Sequence, residues 1–187
     1  MKKIVLIFTG LLLSWNANAL EVAGVQLPDT TQVGTQTLVL NGAGIRKKWF
    51  FKVYVGALYL PQKQSSAETV IADDKENRIA LHMLRGLGSK RLYGAFSEAI
   101  EANHTPAELQ AMDGQLKQMA AIFDAVKEVE EGDVITLDYL PASGTQISVN
   151  GTVRGTIAGA EFNRALLRIW LGKKPAQDDL KKEMLGG

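Results

Sequence analysis

The 187-residue chain contains no cysteine, which excludes disulfides, thiolate metal sites and cysteine nucleophiles together. Its only two histidines, His82 and His104, lie in different segments, so neither a paired-imidazole metal motif nor a Ser-His-Asp set can be assembled by spacing. Asp73-Asp74 is too isolated for a calcium loop. No metal and no cofactor is expected. Charge of one sign is also lacking: the formal charge is +1, too small an excess to neutralise a phosphate backbone, and nucleic acid is not an expected partner. With 5 prolines and 22% charged residues the composition is not that of a collagen-like, coiled-coil or largely disordered chain. The 46% that is apolar supplies one ordinary core, and the length is too short for two comfortable domains.

The one leader-like segment is at the start. Met1-Lys2-Lys3, an apolar run from Ile4 to Leu13 and the ending Asn16-Ala17-Asn18-Ala19 read as a secretory signal with an A-x-A cleavage site. The run is too short to span a hydrocarbon core as a helix, and no stretch of about eighteen apolar residues follows it. The expectation is a signal over 1–19 and a single domain over 20–187, exported to the periplasm or beyond, without a membrane-spanning segment. Loss of Lys2 and Lys3 leaves a formal charge of −1, which gives the remaining chain no net electrostatic hold on an anionic membrane. Oligomeric state is not readable.

Patterning predicts the elements. Glu21–Leu27 reads as a strand, as does Thr35–Leu40, stopped by Asn41-Gly42-Ala43-Gly44. Trp49–Leu60 is a third, apolar on both faces and therefore covered on both sides. Ser65-Ser66-Ala67-Glu68 has capping-box form and opens a short helix to about Ala72; Arg78–Arg85 returns as a strand. Ser89 caps a helix to Asn103, and Thr105-Pro106-Ala107-Glu108 starts a second, whose stripe Leu109, Met112, Leu116, Met119, Phe123, Val126 faces the core until Gly132. Asp133–Tyr139 is a strand. Gln146–Asn150 and Thr152–Ile157 form a hairpin around Asn150-Gly151, in which alternation favours a three-residue loop or a bulge. Ala160–Leu171 and Ala176–Leu185 complete the chain as helices. This order is α+β: an antiparallel sheet with helices packed on one face.

The segment from Asn41 through Gly44-Ile45-Arg46 to Phe51-Lys52 and Tyr59-Leu60 resembles the early β-hairpin of the chalcone isomerase superfamily, in which a G-x-R segment is followed by an F-K-x-x-x-x-x-x-Y-L strand. The run Asn150–Gly172 is similar to the bacterial chalcone-isomerase-like branch, where a closing hairpin feeds a helix. The resemblance implies an open-faced β-sandwich, a large antiparallel sheet covered on one face by a layer of helices, with a cleft between. It implies that Arg46 holds an anion. In the plant enzymes the arginine stabilises a phenolate, and a threonine and a helix tyrosine polarise the ketone; in the plastid fatty-acid-binding relatives the arginine and a tyrosine clamp a carboxylate. The threonine position falls here at Tyr54, and Tyr93 stands one residue beyond the helix tyrosine. The asparagine of the enzymes falls near Ala99 or Ile100, which are apolar.

Read as chemistry alone, a guanidinium offers a planar fork of donors suited to a carboxylate or phenolate, and a phenol eight residues on adds a further hydrogen bond. The bland alternatives are a solvated turn for Arg46 beside Lys47 and Lys48, a core tyrosine bonded to some backbone group for Tyr54, and a seam residue for Tyr93. Three functions share the expected fold. The first is a non-catalytic protein binding a small apolar acid, such as a fatty acid, through Arg46, Tyr54 and Tyr93. The second is an isomerase or lyase on a phenolic or enone substrate using the same three side chains, and the third is an interaction module without a ligand.

Overall fold

The computed structural model describes residues 19–187. The expected signal lies outside the described residues except for Ala19, the first residue of a strand. That strand, β1 (Ala19–Val22), turns at Ala23-Gly24, both at positive φ, into β2 (Val25–Pro28). The single strand expected over Glu21–Leu27 is therefore a hairpin, because two consecutive left-handed residues reverse a chain tightly.

β3 (Thr30–Val33) leads into β4 (Gln36–Lys48), which pairs with β5 (Phe51–Leu60). Here the expectation of a stop at Asn41–Gly44 fails. None of these residues has positive φ, and the strand runs straight through them. The glycines serve a close approach instead: a Cβ on Gly42 would stand 2.1 Å from the Glu183 carbonyl oxygen, and one on Gly44 would meet the Glu183 side chain. Asn41 is an extra residue in the ladder, a bulge. Its buried amide donates to the carbonyls of Gln64 (2.9 Å) and Met184 (2.8 Å), and its Oδ1 accepts from the Gln64 N–H (2.7 Å).

After β5 comes α1 (Ala67–Ala72), capped by Ser66 rather than by Ser65, its Oγ accepting from the Thr69 N–H at 3.2 Å. β6 (Asn77–Met83) and the short β7 (Leu87–Gly88) precede α2 (Ser89–Asn103). Ser89 does not cap α2; Gly88 holds that position, and the Ser89 N–H is taken by the Lys127 carbonyl at 2.6 Å. The Thr105/Glu108 capping box forms in both directions and opens α3 (Pro106–Ala111). The long second helix breaks at buried Met112 and resumes as α4 (Asp113–Val126). It ends before Gly132, because Lys127 turns with φ 64° and sends Val129 of β8 (Glu128–Val129) inward to pair with β7.

β9 (Val134–Leu140), β10 (Gly144–Val149) and β11 (Thr152–Ile157) form a meander. Its last turn sets Val149 opposite Thr152, a two-residue loop, and a bulge after Ile147 restores alternation. α5 (Ala160–Leu171) has the expected bounds, and α6 (Asp178–Met184) begins two residues late.

Seven strands make one antiparallel sheet in the order β11-β10-β9-β6-β5-β4-β3. This is the α+β architecture expected from the element order. On one face Leu58, Ile79, Leu137, Ile147 and Ile157 pack beneath Phe162, Leu166, Leu167 and Trp170 of α5. On the other, Val55, Ala57, Tyr59 and Ala80 are covered by Leu27 and the β1–β2 hairpin. The strand expected over Trp49–Leu60 begins only at Phe51, because Trp49 at φ 60° turns the chain with Phe50, and it is sealed on both sides only from Val55 onward. Among the described residues no helix is long and apolar enough to cross a membrane.

Candidate functional site

Cross-strand register places Arg46 of β4 directly opposite Tyr54 of β5, so their side chains share the helix-covered face. Arg46 is half-buried and has no carboxylate in ion-pair range among the described residues. Its Nη1 donates to the Lys47 carbonyl (2.5 Å) and to Gln177 Oε1 (3.3 Å). Gln177, the residue before α6, also accepts from the Lys47 N–H (2.8 Å) and donates to the Ile45 carbonyl (3.3 Å), so it splints this edge of β4. The Tyr54 oxygen accepts from the Trp170 indole N–H at 3.0 Å, which leaves the phenol O–H as a donor. Burial pushes the Tyr54 pKa up, against the opposing pull of the Trp170 hydrogen bond and the Arg46 charge; the phenol is neutral at physiological pH. A fixed cation and a neutral donor therefore face one another across a strand pair.

Tyr54 also marks a seam. It packs against both the main core and a smaller cluster of Met83, Val129 and Val149. Around that seam Leu81, Leu92, Phe96, Phe123, Val126 and Ile135 are only half-buried, whereas the α5 side chains farther along are fully enclosed. On α2 and α4 the fully buried side chains are Ile100 and Met119. The helix pair covers the sheet incompletely at the end where Arg46 and Tyr54 stand.

Tyr93 is on α2, 37% exposed, its ring 6.2 Å from that of Phe96 and 5.8 Å from that of Phe123. Cross-strand pairing sets Arg46 beside Tyr54, and none of the contacts described joins Tyr93 to either. The position where the enzymes carry an asparagine is fully apolar here, with Ile100 1% exposed in the core. Two participants were not legible in the sequence. Trp170 read only as an inward residue of α5, although a buried indole N–H always needs an acceptor. Gln177 carries no local signal, since its partners are 130 to 132 residues away. A surface cavity of about 280 Å³ lies elsewhere, at the far end of β5, with a mixed lining that includes Leu60, Val70, Asp73, Lys75 and Asn77. It lacks both the guanidinium and the phenol and is not the site marked by the G-x-R segment.

The sequence pattern of the family described as chalcone isomerase-like matches residues 19–186. The chain belongs to this chalcone isomerase-like family. Its fold is also that of a fatty-acid binding protein from Arabidopsis thaliana, with a TM-score of 0.70 over 90% of this chain and 96% of the other, at 15% identity. Among curated protein sequences none matches. In this chalcone isomerase-like chain Arg46 of the G-x-R segment and Tyr54 of the strand after it lie on one face of one strand pair, whereas Ile45 between the glycine and the arginine packs on the other.

Proposed function

We propose that this chalcone isomerase-like protein is exported and binds a small apolar carboxylate, a fatty acid, without catalysing its conversion. The carboxylate sits between Arg46 and the Tyr54 hydroxyl, and the tail runs along the half-buried seam toward Leu92, Phe96 and Phe123, with Tyr93 flanking it on the helix side. The observation that carries this reading is the half-buried, ion-pair-free guanidinium opposite a phenol whose O–H is uncommitted, at the end where apolar side chains are incompletely covered. A carboxylate would accept charge-assisted bonds from both groups, and each buried methylene would add about 0.8 kcal/mol. The Arabidopsis neighbour, named for fatty-acid binding, agrees with this choice of ligand. Cyclisation of an enone would need a second donor for the ketone oxygen, and the α2 residues at that place, Ala99 and Ile100, have none.

Titration calorimetry with a series of fatty acids and their methyl esters tests the reading. Affinity should rise with chain length, fall at least tenfold for the ester, and fall similarly in an Arg46→Ala, Tyr54→Phe double variant. Equal affinity for acid and ester, or an unaffected double variant, would remove Arg46 and Tyr54 from the site. Turnover of a chalcone would replace binding with catalysis.

A further inference from the structure

The turn between β4 and β5 has a composition that folding does not explain. Trp49 is 84% exposed, Phe50 91% and Phe51 56%, so three consecutive aromatic residues project from the end of the sheet. The rings of Phe50 and Phe51 meet edge to face at 6.5 Å, and nothing in the core receives them. Trp49 has φ 60° at the first position of the two-residue loop, where glycine is favoured. Directly behind the loop, Lys47 faces Lys52 across the ladder, a like-charge pair that disfavours the hairpin. Lys47, Lys48 and Lys52 are exposed, and none is in an ion pair among the described residues. The Arg85 guanidinium lies 4.6 Å from the Phe51 ring centre, adding a fourth cation. Backbone strain, like-charge repulsion and apolar exposure thus coincide in six residues.

We propose that this tip docks the protein on an anionic lipid bilayer. Aromatic rings on an exposed loop partition into the headgroup region, where an apolar body and a polar edge are both accommodated, and lysines flanking them meet lipid phosphates. Charge selects the occupant. A second copy would bring three more lysines against these three, whereas an anionic surface neutralises them and relieves the Lys47–Lys52 repulsion. The acidic loop of Glu130, Glu131 and Asp133 lies beside the end of β6, where the Asp133 carbonyl accepts from the Met83 N–H, and confines the contact to the β4–β5 side. The near-zero net charge is an average that conceals this local excess. Arg46 and Tyr54 stand directly behind the tip, so docking would present the seam to the bilayer. The proposal does not require the fatty-acid reading: either can fail with the other intact.

Co-sedimentation of the purified protein with vesicles of phosphatidylcholine alone, and of phosphatidylcholine mixed with phosphatidylglycerol, is the test. Binding is expected only to the anionic vesicles, with Trp49 fluorescence quenched by brominated lipid. Lys47→Gln with Lys48→Gln should weaken binding about fivefold per lysine, and Trp49→Gly with Phe50→Ser at least about tenfold. All four side chains are exposed, so unfolding is not a confounding outcome; near-ultraviolet circular dichroism of buried Trp170 checks this. No binding to anionic vesicles, equal binding to neutral ones, or binding unchanged in both variants would overturn the proposal. So would a concentration-dependent dimer that the Trp49→Gly, Phe50→Ser variant abolishes, since that assigns the tip to a second copy.

Discussion

At Tyr54 a single oxygen joins a strand to a helix 116 residues later in the chain. Trp170 is almost fully buried, and its indole N–H loses the acceptor it has in the fold when the Tyr54 oxygen is removed. Tyr54→Phe is therefore expected to cost about 1–3 kcal/mol of stability, read from urea denaturation, in addition to any loss of ligand. The pair was half legible in the sequence. The eight-residue spacing of Arg46 and Tyr54 can be counted and a phenol on a buried strand has to find some partner, but the sequence pattern puts Trp49 and Phe50 in the strand and not in the loop that sets the two residues opposite each other. Nothing local said that the partner would be an indole rather than a backbone group.

At the level of elements, α6 explains why β4 contains glycines. The strand offers Gly42 and Gly44 as a groove, the backbone at Glu183 and Met184 lies in it, and the Asn41 amide ties the end of the helix down. Gly42→Ala forces a Cβ against backbone atoms that cannot rotate away. It should destabilise by about 1–3 kcal/mol and raise hydrogen exchange selectively in α6. From sequence the same glycines read as a turn, since Asn-Gly-Ala-Gly carries a turn signature wherever it occurs and only packing shows that no left-handed residue is needed. By contrast, α5 matched its expected bounds residue for residue, because its apolar stripe and terminal Gly172 are both local signals. The helix broken at Met112 shows the opposite case: a stripe with unbroken spacing does not reveal that the backbone leaves it for one residue.

Over the whole molecule, proton uptake separates into two ranges. His82 lies between Val55 and Val134 on the neighbouring strands, and burial lowers its pKa below the usual 6.5. The unfolded chain takes up that proton as pH falls through about 6.5 while the folded chain resists it, so stability declines from there downward. Carboxyls held low by hydrogen bonds act in a lower range. Glu108 is bonded to the Thr105 backbone and side chain, and Asp133 to the Asn150 amide and the Glu130 N–H; their contribution is complete above their ordinary values and lost as pH falls toward the lowered ones. Urea midpoints measured from neutral pH to about pH 5 should fall for the wild type and stay flatter for His82→Gln. An identical slope in both proteins would assign the loss to other groups.

The sequence by itself determined the class of fold, the order of most elements, the family and the two residues of the paired motif, because those depend on local periodicity, caps and short spacing along one chain segment. It also excluded disulfides, since that follows from the absence of cysteine alone. Tertiary structure alone decided that the N-terminal segment is a hairpin covering the second face of the sheet, that Asn41 and its glycines receive α6, and that Trp170 and Gln177 complete the surroundings of Arg46 and Tyr54. It alone decided, too, that Trp49, Phe50 and Phe51 remain outside. Each of these is a meeting of surfaces, or a failure to meet one. An apolar run has the same pattern whether or not another part of the chain reaches it.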